Sequence, residues 1–130
     1  MNDGSRSGAE LLSDDECLAL LKEHTLGRIG LSINALPAIL PVIYRVFDGS
    51  IFLEGWGSAR IGDALVQSVV AFEVDDVTAE DGIGWSVLVI GVATSSKEDP
   101  DLFDKLTSQG GCSSFVIRPD IISGRRVRLS

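Results

Sequence analysis

The chain has 130 residues, of which 45% are apolar and 23% charged, with a formal net charge of −8. That length supports one hydrophobic core and therefore one domain. The negative field repels nucleic acid and anionic membrane surfaces, and no apolar run is long enough to span a bilayer, so neither is expected as a partner.

Residues 1–11 are small and polar and lack the apolar centre of a signal peptide. They read as a disordered leader to a domain over residues 12–130, and a cytoplasmic location is expected. "SDDE", Ser13 to Glu16, is a capping box, in which Ser13 caps the backbone and Glu16 reaches back. Asp14 and Asp15 suit the positive end of the helix dipole. Leu18, Leu20 and Leu21 supply an apolar face, and Gly27 is the expected stop.

The pattern then changes to period two. "RIGLSI" (Arg28 to Ile33) and "AILPVIYRVF" (Ala38 to Phe47) read as strands, with Pro41 marking an edge, a bulge or a bend. Asp48-Gly49 is a hairpin turn into a third strand, "SIFLE". Next comes "FLEGWGSAR", Phe52 to Arg60: a strand, a glycine-bracketed turn, then a hydroxyl and a cation at the start of a predicted helix. Such a turn can cradle a phosphate on helix N–H groups, or it can be an ordinary loop. Glu54 carries the wrong charge for the first reading.

"VVAFEVDD" (Val69 to Asp76) is a fourth strand, with Phe72 and Val74 on one face and Ala71 and Glu73 on the other. "TAEDGIG" is a loop. "WSVLVIGVATS" (Trp85 to Ser95) is a long fifth strand in which Gly91 marks a bulge or a close approach. A helix over "DPDLFDKLTSQ" and a strand interrupted near Pro119 complete the pattern. Six or so consecutive, hairpin-linked strands point to an antiparallel barrel.

Few side chains suggest chemistry of their own. His24 is the only histidine, and with Cys17 and Cys112 it cannot build a zinc cluster of ordinary spacing. Cys17 reads as a packed, free thiol. Asp75 and Asp76 are adjacent on a strand, point to opposite faces and do not form a carboxylate pair.

The segments "LSDDECLALL", "GRIGL", "LPAILPVIY", "GSIFLEGWGSAR", "VVAFEVDD", "GWSVLVIGVA" and "ISGRRVR", in this order from Leu12 to Arg128, resemble the pyridoxamine 5′-phosphate oxidase-like family of flavin-binding split β-barrels. The resemblance is closest to its small oxidase-like and nitroimidazole-reductase-like branch. It implies a six-stranded antiparallel split barrel, a homodimer, and cofactor sites at the dimer interface. The implied protein is a flavin-dependent oxidoreductase that takes FMN, or a deazaflavin, and a small-molecule substrate.

The resemblance also implies site residues. Leu53 and Glu54 end the strand before the phosphate turn, where Gly57, Ser58 and Arg60 would hold the phosphate. Pro41, Val42 and Ile43 would line the isoalloxazine with backbone and small or apolar groups. Ser86 would hydrogen-bond the ring and Trp85 would stand beside it or pack at the barrel end. Arg125 would reach the substrate or the partner's cofactor, or belong to a solvated basic tail. Three positions depart from the family: Glu54 where a threonine is usual, Ala59 where a basic residue is usual, and Ile90 where relatives often carry a base. They favour a second reading, a split-barrel dimer without tight flavin binding that serves a small ligand or a structural role.

Overall fold

A computed structural model describes residues 10–54, 68–78, 80–95 and 113–128. In these, a three-residue strand β1 (Glu10–Leu12) precedes helix α1 (Asp14–Lys22) and strands β2 (Leu26–Ile33), β3 (Leu36–Phe47), β4 (Ser50–Glu54), β5 (Ser68–Thr78), β6 (Ile83–Ser95) and β7 (Ser113–Arg128). Glu10 and Leu11, read from composition as the end of the leader, are the first two residues of β1.

Six strands close into an antiparallel barrel. β2 pairs with β3 and β5, β5 with β6, β6 with β7, β7 with β4, and β4 with β3. β1 adds to the far end of β7, where Leu11 lies opposite Arg125. The split barrel implied by the resemblance is therefore the observed architecture.

Local sequence explains most of the elements. Ser13 Oγ accepts from the Glu16 N–H and Glu16 Oε1 accepts from the Ser13 N–H, completing the capping box that starts α1. The helix stops earlier than the glycine suggested, with Glu23 as its cap. Gly27 instead lies inside β2, where a Cβ would stand 2.7 Å from the Phe72 ring. Its bareness leaves room for that ring rather than ending the helix.

Asp48 and Gly49 both have positive φ, 53° and 77°, as the hairpin turn requires. A second turn of the same kind joins β2 to β3 at Asn34 and Ala35, with φ of 52° and 65°. An alanine there hides the turn from a reading that looks for glycine. Pro41 does not break β3: among the described residues, 36–43 pair only with β2, and pairing with β4 begins at Tyr44. A residue without an N–H is tolerated on such an edge.

β7 runs unbroken past Pro119. The irregularity is a register shift: Ile90 faces Ile121 and Gly91 faces Pro119, leaving Asp120 as the extra residue. A Cβ on Gly91 would overlap the Arg118 carbonyl oxygen, so the close approach expected at Gly91 is present together with a bulge on the strand opposite.

Alternate residues of each strand fill the barrel. Ile29, Val42, Tyr44, Ile51, Leu53, Phe72, Val74, Val87, Val89 and Ile117 are buried together with Cys17 and Leu21 of α1, which closes one end. Tyr44 stacks edge-on against Phe72 and donates its hydroxyl to the Leu21 carbonyl at 2.7 Å. Burial pushes the Tyr44 phenol up to about 12 and raises the Cys17 thiol. Cys17 is a free cysteine, as expected. Gly124 seats the helix: a Cβ there would lie 2.6 Å from Cys17 Sγ.

Candidate functional site

The outer surface of the β3–β2–β5–β6–β7 wall is where sequence and pairing assemble a site. Period two turns Pro41 and Ile43 of β3, Arg28 of β2, Glu73 and Asp75 of β5, Ser86 and Leu88 of β6, and Ser123 and Arg125 of β7 away from the core. The ladders align them in rows. Arg28 faces Glu73, which faces Leu88, which faces Ser123; Asp75 faces Ser86, which faces Arg125.

Charge is concentrated in the middle of this wall. Arg28 Nη1 lies 2.9 Å from Glu73 Oε1 and 3.3 Å from Asp75 Oδ2. Burial, then a hydrogen bond and like charge from Asp75, raise the Glu73 carboxyl from 4.5 to about 7. The same hydrogen bond, from Glu73, lowers Asp75. Below about pH 7, therefore, Glu73 tends to hold a proton beside an ionised Asp75. Two residues apart on a strand, they share a face, unlike Asp75 and Asp76.

Two hollows flank this cluster. One, of about 350 Å³, is lined by Leu11, Glu73, Ser86, Leu88, Ser123 and Arg125. The other, of about 400 Å³, lies between the C-terminal end of α1 and the β2–β5 pair, with His24, Arg28, Pro41, Asp75 and Asp76 in its wall. His24 Nδ1 is 2.9 Å from the Leu20 carbonyl oxygen, which can only accept, so Nδ1 carries hydrogen. The imidazole meets Trp85 edge-on at 5.0 Å between centroids. His24 Nε2 lies 3.8 Å from Asp76 Oδ2.

The residues implied by the resemblance separate into groups. Ser86 and Arg125 are ladder neighbours and share one hollow; Pro41 lines the other, and Trp85 stands behind His24. Ile43 is exposed on the same wall. Val42 and Leu53 point into the core, so they can serve a ligand only through backbone groups. Glu54 lies apart on β4, where its Oε1 is 3.2 Å from Arg45 Nε. Gly57, Ser58 and Arg60 lie outside the described residues, and the phosphate turn with them.

Reading the chain in order missed Arg28, Glu73 and Asp75. The spacing of the two acids was visible, but the β2–β5 pairing that brings Arg28 to them joins strands far apart in sequence. Among the described residues no cluster of histidine, cysteine and acidic side chains suits a metal ion, and no helix is long and apolar enough to cross a membrane.

The closed six-stranded antiparallel barrel, with a short helix at one end and a polar row on its outer wall, is the architecture that the sequence resemblance implied. The family profile described as pyridoxamine 5′-phosphate oxidase matches residues 13–111, and the chain belongs to that family. An uncharacterized protein of Mycobacterium tuberculosis is 33% identical over 127 residues, covering 89% of this chain and 84% of that one. The solved structure of the FAD binding protein from Mycobacterium smegmatis is 30% identical, with a TM-score of 0.79, over 91% of this chain and 98% of that one. A FAD-binding protein from Mesorhizobium loti shares the fold, with a TM-score of 0.69 at 22% identity, over 91% and 96% of the two chains.

Proposed function

We propose that this protein is a homodimeric oxidoreductase that binds a flavin, FMN in the first instance, and acts on a small-molecule substrate. The observation that carries the reading is the pairing of Ser86 with Arg125 in one hollow, beside Glu73, Ser123 and Leu88. An isoalloxazine needs an apolar wall and hydrogen-bonding groups at its polar edge, and this set offers both. The flavin supplies electron transfer, while the chain supplies orientation and electrostatics. The 30% identity with a FAD binding protein supports the flavin class.

Glu54, the residue that argued most strongly against a bound phosphate, is paired with Arg45. Its charge is thus partly compensated inside the protein. Ser58 and Arg60 remain the proposed phosphate ligands. Arg60→Ala should weaken FMN roughly tenfold or more while sparing riboflavin, because a charge-assisted contact contributes about 1.5–3 kcal/mol.

Titration of purified protein with FMN, FAD and riboflavin, followed by flavin absorption and fluorescence, tests the proposal. FMN binding tighter than riboflavin is the expected result. FAD binding tighter than FMN would overturn the choice of FMN and keep the flavin class. A protein that takes up none of the three would overturn the whole reading.

A further inference from the structure

Strand β1 is only three residues long, yet both of its end residues are anchored. Glu10 Oε1 lies 3.4 Å from Arg126 Nη1. Leu12 is buried in the core cluster beside Gly124, where a Cβ would stand 3.2 Å from Leu12 Cδ1. By the two-residue period of a strand, Glu10 and Leu12 project to one face and Leu11 to the other. Leu11 faces Arg125 in the ladder and Arg125 faces Ser86, so β1 extends the polar row of the outer wall by one strand.

A large apolar side chain is thereby held over a polar hollow. Leu11 is 82% exposed and lines the hollow of about 350 Å³ together with Ser86, Leu88, Ser123 and Arg125. A scattered exposed leucine carries little meaning by itself. Here the anchors on both sides hold the backbone and fix where the side chain stands. Leu88 of β6 is the other leucine of the hollow. β7 lies between β6 and β1, so the two leucines stand about 10 Å apart, two inter-strand spacings. Ser123 and Arg125 of β7 lie between them, and Glu73 lies beyond Leu88 on β5.

We propose that Leu11 is a ligand-contacting residue: a flat, fused aromatic ring system lies across β7 with one apolar end against Leu11 and the other against Leu88, and turns its hydrogen-bonding groups to Ser86, Ser123 and Arg125. The contact rests on the flavin reading and adds to it a residue from a strand that the family resemblance did not bring to the site. Binding covers a side chain that the free protein leaves in solvent, and this burial adds affinity without a further polar contact. The backbone of β1 is already fixed, so little ordering opposes the gain.

Riboflavin, which presents the ring without a phosphate, is the probe, titrated by fluorescence into the purified full chain. Leu11→Ala should weaken it about tenfold, the loss of burying most of one leucine side chain, and should weaken FMN by the same factor. Leu11→Met keeps the apolar volume and should keep most of the affinity. Thermal unfolding without ligand should coincide for all three chains, because Leu11 is exposed in the free protein. With labelled leucine methyls, a nuclear Overhauser contact should join the Leu11 methyls to the ring protons. Equal riboflavin affinity in wild type and Leu11→Ala would overturn the Leu11 contact and leave the flavin reading standing, whereas a wild type that binds no flavin would overturn both. A wild-type dimer that Leu11→Ala converts to a monomer would also overturn the contact, by assigning Leu11 to the subunit interface.

Discussion

At the scale of single residues, the proton that Glu73 holds beside Asp75 makes stability depend on pH. Folded Glu73 keeps its proton up to about pH 7, whereas an ordinary glutamic acid loses it near 4.5. Between those values the folded chain holds more protons than the unfolded one, so this contribution is complete below 4.5 and is lost as pH rises to 7. Asp75 works in the opposite sense: its lowered carboxyl contributes above its ordinary 3.8, and that is lost as pH falls. Glu73→Gln keeps a hydrogen-bond donor toward Asp75 and removes the titration. Its melting temperature should rise relative to wild type as pH goes from 4.5 to 7, by a few degrees because the groups are partly solvent-screened. Parallel melting curves at every pH would refute the raised Glu73 carboxyl.

At the scale of elements, the two tight turns and the β6–β7 bulge carry the strain. Ala35 sits at φ 65°, a conformation that costs an ordinary residue about 1–2 kcal/mol. Ala35→Gly should stabilise the chain by up to about 1 kcal/mol, since glycine's extra freedom when unfolded offsets part of the relief. Chemical denaturation measures this, and a loss of stability would count against the turn geometry. Gly91 and Gly30 form an internal comparison. A Cβ on Gly91 meets the Arg118 backbone, whereas one on Gly30 meets Ala71 Cβ at an ordinary 3.7 Å. Gly91→Ala should therefore destabilise by several kcal/mol and Gly30→Ala by less than about 1. Similar losses at both sites would show that the strands are free to part at the bulge.

The same elements show what was legible beforehand. The capping box, the Asp48-Gly49 turn and the inward face of β5 follow from short-range chemistry, and each stands where the residues indicated. Gly27 reads as a helix stop, and Ala35 gives no sign of a tight turn, for a shared reason. A glycine that ends a helix and one that makes room for an aromatic ring look alike until Phe72 is brought across from β5. An alanine carries no mark of the positive φ that its neighbours impose. The site divides along the same line: Ser86 and Arg125 came from the family resemblance, while the Arg28 cluster depends on a strand pairing with no local signature.

At the scale of the whole molecule, the outer wall leaves large apolar side chains in solvent. Leu26, Ile39, Ile43, Val69, Leu88 and Ile121 are all exposed, on strands that are neighbours in the sheet. A monomer seldom leaves so many together, which supports the proposed homodimer. Sedimentation at micromolar concentration should give twice the chain mass for wild type, and the double variant Leu88→Glu, Ile121→Glu should sediment as a folded monomer. A wild-type monomer, or a double variant that still dimerises, would place the interface elsewhere.

The closure of the barrel through β7 has a consequence for synthesis. A chain leaving the ribosome N-terminus first can form the β2–β3–β4 meander and add β5 and β6, yet among the described strands the outer edges of β4 and β6 both wait for the same partner, β7. β1, made before β2, also waits for the far end of β7. Until Arg128 has cleared the exit tunnel, the nascent sheet is open on two sides, and both edges can recruit a neighbouring chain. Stalled nascent chains ending at residue 112 should accordingly be degraded by added protease, while chains carrying residues 113–128 beyond the tunnel should resist it.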